Sequence, residues 1–324
     1  MISGSVVIPI THRQPEFLER LLDALGHQDL VPDEFEIIVC DDAGSEETRA
    51  QVERWRETHP VAIMYVSVPT PDRGPAAMRN AGWRAARGDV IAFTDDDAIP
   101  EPDWLRQGIR ALADDAADAA SGRIVVPLPD DPTDYELDAA RLASVGFVTA
   151  NCFCRRSVLQ CIGGFDPRFR STWRDGSDLF FRLISAGLDV VEATNATVVY
   201  PVRPVPWGGR LRAESKHMFD ALLYKKHPRL YAEFIRPDRP YLYYAILIAL
   251  VIAVIGVWKS ADTVTAAGLA TWLSLTAALA FRRLRATRRS LDHVAEVVVT
   301  SVLIPFVSVY HRVRGGVTFR VAFW

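Results

Sequence analysis

Three consecutive carboxylates, Asp95, Asp96 and Asp97, close the short apolar run Val90-Ile91-Ala92-Phe93-Thr94, and Ala98-Ile99-Pro100 ends the segment. Three acids at one point are costly to hold together unless something positive binds among them. A divalent cation with oxygen ligands meets that need. Mg2+ or Mn2+ commonly takes one or two carboxylates and completes its shell with phosphate oxygens. The bland alternative is a solvated acidic turn. A second acidic pair, Asp41-Asp42, follows the apolar run Phe35 to Cys40 and precedes Ala43-Gly44-Ser45. Farther on, Asp175 and Asp178 fall at the start of an expected helix, where carboxylates are electrostatically favoured. Asp178 reads as a helix cap or as a reacting group. Asp175, beside Trp173 in a glycine-containing turn, is the better placed of the two for chemistry.

The elements that must position these acids alternate along the chain. Ser5 to Ile10 is a first buried strand, followed by the turn Thr11-His12-Arg13-Gln14-Pro15. From Glu16 to His27, Phe17, Leu18, Leu21, Leu22 and Leu25 recur at helical spacing and form one core-facing stripe. Phe35 to Cys40 is a second strand, a polar helix runs to about Glu57, and Ala62 to Val68 is a third strand. Arg73-Gly74-Pro75 then opens a small-residue helix through Gly82, with Gly for a tight turn and Pro suited to the first helical position. The strand before the acidic triplet is fourth. Strand then helix, repeated, is the pattern of an open sheet with parallel strands, in which ligands bind beyond the strands' carboxyl ends. Asp41/Asp42 and Asp95–Asp97 would then face one crevice.

After a helix over Pro102 to Ala113 the pattern changes. Ala119 to Val126 and Gly146 to Cys154 read as strands around a polar insertion rich in Asp and Pro. Neither G-x-G-x-x-G after the first strand nor G-x-x-x-x-G-K-[ST] anywhere is present, so the phosphates of a nucleotide would be met by a metal and by basic side chains such as Arg73 or Arg79. A net charge of −3 gives no general reason to expect nucleic acid. Cys40, Cys152, Cys154 and Cys161 lack paired zinc-site spacing and read as packed, reduced thiols. No basic stretch followed by a long apolar run opens the chain, so a cytosolic start is expected.

These motifs, in order, resemble the family 2 glycosyltransferases with the GT-A fold. Val6 to Arg13 resembles that family's opening strand and turn, and Ile38 to Ser45 its nucleobase-contacting strand. Gly74 to Gly82 is similar to its helix under the diphosphate. Phe93 to Asp97 is similar to its metal-binding D-x-D segment, with Pro102-Asp103-Trp104-Leu105 following. Gly163-Gly164-Phe165-Asp166 with Asp175 to Leu183 resembles its acceptor-side motif.

The resemblance implies a Rossmann-like open mixed sheet flanked by helices and a nucleotide-sugar donor bound by Pro9, Thr11, Arg13, Asp41, Asp42, Arg79, Asp95 and Asp96. The base would lie near Asp42 and the ribose near Asp95 or Asp96. Asp97, with Asp95, would hold Mn2+ or Mg2+, and a carboxylate would take the acceptor's proton in an inverting displacement. The family commonly has a Glu-Asp pair whose Asp is the base, but the matching positions here are Asp175 and Gly176. Asp175 reaches the acceptor from one residue earlier, or Asp178 does, or the base is altered or absent. Arg210 and Arg212 are expected as a loop closing over the diphosphate, and His217 as a further metal ligand or phosphate contact, the alternative being an ordinary histidine. The Q-x-x-R-W signature of processive synthases is missing, which favours one sugar per encounter.

The boundary is expected in Arg236-Pro237-Asp238-Arg239-Pro240, giving a catalytic domain over 1–235 and a membrane region over 236–324. Leu242 to Trp258 and Thr263 to Phe281 are uncharged and near the roughly 20 residues that cross hydrocarbon. They predict a C-terminal transmembrane helical hairpin. Arg282, Arg283, Arg285, Arg288 and Arg289 follow, so the positive-inside rule keeps them, and the catalytic domain, cytoplasmic at the inner membrane. Val294 to Tyr310 carries Glu296 and Pro305 and is expected to lie re-entrant or along the surface. The leading expectation is therefore a membrane-anchored, metal-dependent transferase acting on a cell-envelope glycan or lipid-linked acceptor. Alternatives are a polyprenyl-phosphate glycosyltransferase, favoured by the glycine in the base slot, and a non-catalytic membrane protein that binds nucleotide-sugar, against which the acidic triplet argues.

Overall fold

The computed structural model describes residues 2–11, 14–68, 73–114, 117–235 and 241–323. In chain order its elements begin with β1 (Gly4–Pro9), α1 (Pro15–Gly26), β2 (Phe35–Asp41), α2 (Glu46–Thr58), β3 (Ala62–Ser67), α3 (Pro75–Ala85) and β4 (Val90–Thr94). Then come β5 (Ile99–Pro100), α4 (Trp104–Asp114), β6 (Ala119–Val125), α5 (Asp134–Ala140), β7 (Asn151–Arg155), α6 (Arg156–Ile162), α7 (Asp175–Ser185) and β8 (Val190–Val199). The rest is helical: α8 (Gly209–Ala213), α9 (Met218–Lys226), α10 (Pro228–Leu230), α11 (Tyr241–Trp258), α12 (Asp262–Leu284) and α13 (Leu291–Phe319). Two compact units result, one of residues 1–127 and 141–201, the other of 128–140 and 202–324. The division thus falls at 201/202 instead of 235/236, and the Asp- and Pro-rich insertion groups with the C-terminal helices.

In the first unit the strands form one 8-stranded sheet in the order β3-β2-β1-β4-β7-β6-β8-β5. β1 is parallel to both β2 and β4, and β2 to β3. β7 then runs antiparallel to β4 and to β6. The sheet is therefore mixed, and its parallel part holds the strands that carry the acids.

Strand periodicity decides what covers each face. Val6, Ile8, Ile37, Val39 and Ala92 pack with Leu18, Leu21, Leu22 and Leu25 of α1 and Trp104 and Leu105 of α4. Val7, Ile38, Cys40, Ile91 and Phe93 pack on the other side with Met78 and Trp83 of α3, Leu159 of α6 and Leu179 of α7. Burial on both faces explains why β1, β2 and β4 are near-continuous apolar runs. The predicted strand over Gly146 to Cys154 forms only from Asn151, because Phe147 packs its ring on Phe180 at 5.5 Å instead of joining the ladder. Cys40, Cys152 and Cys154 are buried thiols as expected, whereas Cys161 is exposed on α6.

α11 and α12 pack as an antiparallel pair, with Gly256 pressed against the Thr265 backbone and Gly268 against that of Ala253. Among the described residues three helices, α11, α12 and α13, are long and apolar enough to cross a membrane. The segment expected as a short interfacial stretch is thus part of a continuous helix through Pro305, whose missing N–H is tolerated with its ring buried.

Close helix-to-sheet packing depends on Gly82, where a Cβ would overlap the Val7 side chain and sit 2.9 Å from Cys40 Sγ. Overpacking of this kind costs about 1–3 kcal/mol. Gly82→Ala is expected to destabilise the folded chain by that amount in denaturant unfolding; an unchanged midpoint would mean α3 has slack against the sheet.

Candidate active site

The acids gather because β1, β2 and β4 are parallel neighbours and end on one edge of the sheet. Side-chain hydrogen bonds then tie their loops together. Thr11, after β1, donates its backbone N–H (2.9 Å) and its hydroxyl (3.0 Å) to the Asp96 carboxylate. Asp42, after β2, accepts from the Gly74 N–H at 2.9 Å, which links it to the start of α3. Gly74 has φ +111°, and a Cβ there would press on the Arg170 backbone, so the turn requires glycine. The Ala98 N–H returns to the Asp95 carbonyl at 3.1 Å, folding the triplet into a tight turn.

At the centre is Arg79, fully buried on α3. Its Nη2 donates to Asp95 Oδ1 and its Nη1 to Asp175 Oδ2, both at 2.6 Å. The guanidinium also lies 5.7 Å from the Phe165 ring centroid. Burial works against the Arg79 charge, but Asp175 and Asp95 outweigh it, so the group is held more firmly protonated than an ordinary arginine. Burial pushes the Asp175 carboxyl up, Arg79 pulls it back and Asp95 pushes it up again, leaving it above the ordinary aspartate value. Arg79 is therefore a bridge between two carboxylates rather than the open phosphate contact expected from the sequence.

Next to it, Asn80 holds the acceptor-side loop. Its Nδ2 donates to the Phe165 carbonyl and its Oδ1 accepts from the Phe165 N–H, both at 2.8 Å, and from Trp83 Nε1 at 2.9 Å. A Cβ at Gly164, which has φ +70°, would collide with this cluster. That explains the Gly163-Gly164 pair.

Several expected site residues turn out to be occupied by the fold. Asp41 is wholly buried and accepts from the Ala43 and Ser45 N–H groups (2.8 and 2.7 Å) and the Tyr65 hydroxyl (2.9 Å). It shapes the turn after β2. Asp178 is wholly buried and pairs at 3.0 Å with Arg182, whose other nitrogens donate to the Ile162 and Gly164 carbonyls. Asp178 therefore anchors α7 to the Gly-Gly turn. Pro9 ends β1, paired with Cys40. Arg13 lies outside the described residues.

Arg212 and His217 belong to the second unit. Arg212 donates to the Pro206 carbonyl at 2.9 Å, and the His217 ring nitrogens face Asp220 (2.9 Å) and Glu214 (3.6 Å). Arg210, expected in a closing loop, is paired with Asp138 at 2.7 Å.

Asp95, Asp96 and Asp97 are all buried, and the first two are engaged by Arg79 and Thr11. Among the described residues no three His, Cys, Asp or Glu side chains form a complete metal cage. Mg2+-like ions need none, since one or two carboxylates plus substrate phosphates suffice. The donor set thus fits an ion held by Asp97 together with a diphosphate. Nothing in the sequence assigns Asn80 or Tyr65 a role. Asn80's only signal is its polarity within a small-residue helix, and Tyr65 alternates on β3 like any strand residue.

An open mixed sheet with its acids at the ends of parallel strands is the GT-A arrangement. The chain belongs to the family described as Glycosyl transferase family 2, whose sequence model matches residues 5–174. It is similar to the Haloferax volcanii glycosyltransferase AglE, 23% identical over 62% of this chain and 67% of that one. It is also similar to the pre-mycofactocin glycosyltransferase of Mycobacterium tuberculosis, 33% identical over 36% of this chain but only 27% of that protein. Among solved structures it matches the mannosyltransferase PcManGT from Pyrobaculum calidifontis, described in complex with GDP-Man and Mn2+. The TM-score is 0.57 at 22% identity, covering 96% of this chain and 86% of the other. Staphylococcus aureus TarS in complex with UDP matches with TM-score 0.50 at 16% identity, over 97% and 92%. These likenesses show the fold.

Replacing Arg79 by Met would leave Asp95 and Asp175 as buried carboxylates without their counter-charge. Removing one member of such a group costs about 3–5 kcal/mol. Arg79→Met is expected to lose that much stability in denaturant unfolding, and near-wild-type stability would show that the bridge does not hold the site together.

Proposed function

We propose that this chain transfers a sugar from a nucleotide-sugar to an acceptor at the membrane, a cell-envelope glycan or lipid-linked molecule, with inversion at the anomeric carbon. The observation that carries this reading is the set of contacts joining four loops at one sheet edge: Thr11 to Asp96, Asp42 to Gly74, and Arg79 to both Asp95 and Asp175. Family membership supplies the reaction class. The structural relatives described with GDP-Man and with UDP support a nucleotide-linked donor.

In this reading Asp42 and the loops after β1 and β2 receive the nucleoside, while Asp95 and Asp96, fixed by Arg79 and Thr11, shape the turn that carries Asp97. Asp97 holds Mn2+ or Mg2+, which when bound neutralises charge on the leaving diphosphate. Asp175 takes the acceptor hydroxyl's proton, and its raised pKa suits it to that task better than an ordinary aspartate. The arginines after α12 support, by the positive-inside rule, a catalytic unit on the cytoplasmic side of the inner membrane.

A second reading differs only in the acceptor. Asp175 is committed to Arg79 and is followed by Gly176, so no second carboxylate occupies the adjacent position. A polyprenyl-phosphate acceptor carries its own ionised oxygen and needs no proton removed.

Turnover of nucleotide-sugars with Mn2+ or Mg2+ tests the main reading: wild type should release nucleoside diphosphate, and Asp97→Asn should abolish release without loss of folding. Metal-independent turnover, or an active Asp97→Asn, would overturn the role given to Asp97. For Asp175 the sign is fixed by its raised pKa, since a base works only when deprotonated. Transfer to a hydroxyl should therefore fall as pH drops through an ionisation above the ordinary aspartate value of about 3.9. Asp175→Asn should remove transfer and leave donor binding intact. Transfer to a phosphate acceptor that survives this substitution would favour the second reading.

A further inference from the structure

By length and composition α13 could cross a bilayer, yet its contacts within the second unit argue otherwise. Its N-terminal part is tied to α8: Glu296 Oε1 accepts from the Gly208 N–H at 2.7 Å. Its C-terminal part is tied to α9. Gly315 is pressed against the Met218 backbone, the Phe319 carbonyl accepts from Lys225 Nζ at 2.7 Å, and the Phe219 and Phe319 rings lie 6.2 Å apart. The segment from Gly208 to Lys226 therefore runs alongside α13 from Glu296 to Phe319, a length of about 35 Å at 1.5 Å per residue. That matches or exceeds the hydrocarbon thickness of about 30 Å. The same segment carries Arg210, Glu214, Lys216, Asp220 and Lys225. If α13 crossed the membrane, these charges would have to cross with it, which is strongly disfavoured.

The two faces of α13 differ accordingly. Leu291, Val299, Leu303, Phe306, Tyr310 and Val317 are exposed and form one apolar stripe along its length. The opposite face is buried and mixed, with His293, Thr300, Ser301 and Ser308 beside Val297 and Ile304. Thr300 Oγ1 and Ser301 Oγ there accept from Arg283 Nη1 at 2.9 and 2.8 Å, and Arg283 also pairs with Asp134 at 2.7 Å. Exposed arginines stand at both ends, Arg289 before the helix and Arg314 and Arg320 at its close. The mutual contacts of α11 and α12 run through glycine, and the stretch from Tyr241 to Trp258 has no charge.

We propose that α11 and α12 cross the bilayer while α13 lies along its surface. The exposed stripe of α13 then sits at the boundary between headgroups and acyl chains, its terminal arginines meet headgroup phosphates, and the segment over 208–226 stays on the aqueous side. The occupant of the stripe is lipid, because the stripe is apolar along the helix and is flanked by cations suited to headgroups.

The test uses the full chain in sealed membrane vesicles of known orientation, with the exposed native thiol removed as Cys161→Ser. Ala286→Cys and Thr318→Cys, both exposed, are labelled with a membrane-impermeant maleimide from each side, and detergent gives the full reaction. The expected result is that both label from one side, with loss of labelling from the other. Thr318→Cys labelling only from the side opposite Ala286→Cys would overturn the proposal. An environment-sensitive probe at Leu303→Cys should be quenched by lipids brominated near the headgroup. Quenching strongest with bromines at the bilayer centre would also overturn it.

Discussion

Everything in the first unit that bears on chemistry is arranged around one buried cation, the guanidinium of Arg79, between Asp95 and Asp175. The two carboxylates come from a strand end and a helix start separated by much of the domain's sequence. A planar fork with fixed donor directions is well suited to joining them, and a lysine's single point of charge is not. The bridge also explains the packing around it. Phe165 lies over the guanidinium, Phe93 meets Phe165 edge-on at 5.1 Å, and Asn80 on the same helix as Arg79 grips the Phe165 backbone. A buried ion group of this kind is not primarily a source of stability, since its desolvation offsets much of its attraction. Its effect is to fix where the acidic turn and the start of α7 can be.

The sheet and the acids at its edge were legible in the sequence because both depend on local patterns. Buried parallel strands are continuous apolar runs, and Phe93-Thr94-Asp95-Asp96-Asp97 marks where burial stops. What the sequence did not show was which acid serves structure and which serves chemistry. Asp41 and Asp42 are neighbours of one type, yet the first is consumed by Ala43, Ser45 and Tyr65 while the second reaches Gly74. That division follows from the backbone direction after β2, which no spacing rule encodes. Arg79 misled for a related reason: a basic residue near expected phosphates invites a phosphate role, and only burial reveals that its charge is already matched.

The same limit governs the C-terminal part. Uncharged runs predicted α11 and α12 directly, because crossing hydrocarbon is a demand on composition. α13 has comparable apolar content, and its meaning lies in what covers its other face. In the sequence Glu296 reads as a charge within an apolar run and Arg283 as one of the arginines that set topology, but in the structure Glu296 joins α13 to Gly208, and Arg283 joins it through Thr300 and Ser301 to Asp134.

If Asp97 acts as proposed, the acidic turn set by Arg79 and Thr11 presents it to a cation that binds together with a diphosphate. Electron paramagnetic resonance of Mn2+ titrated into the full chain, with and without a nucleoside diphosphate, tests this most directly. Mn2+ binding should strengthen when the nucleotide is added and disappear in Asp97→Asn. Bound Mn2+ that is indifferent to both the nucleotide and the substitution would contradict that role for Asp97.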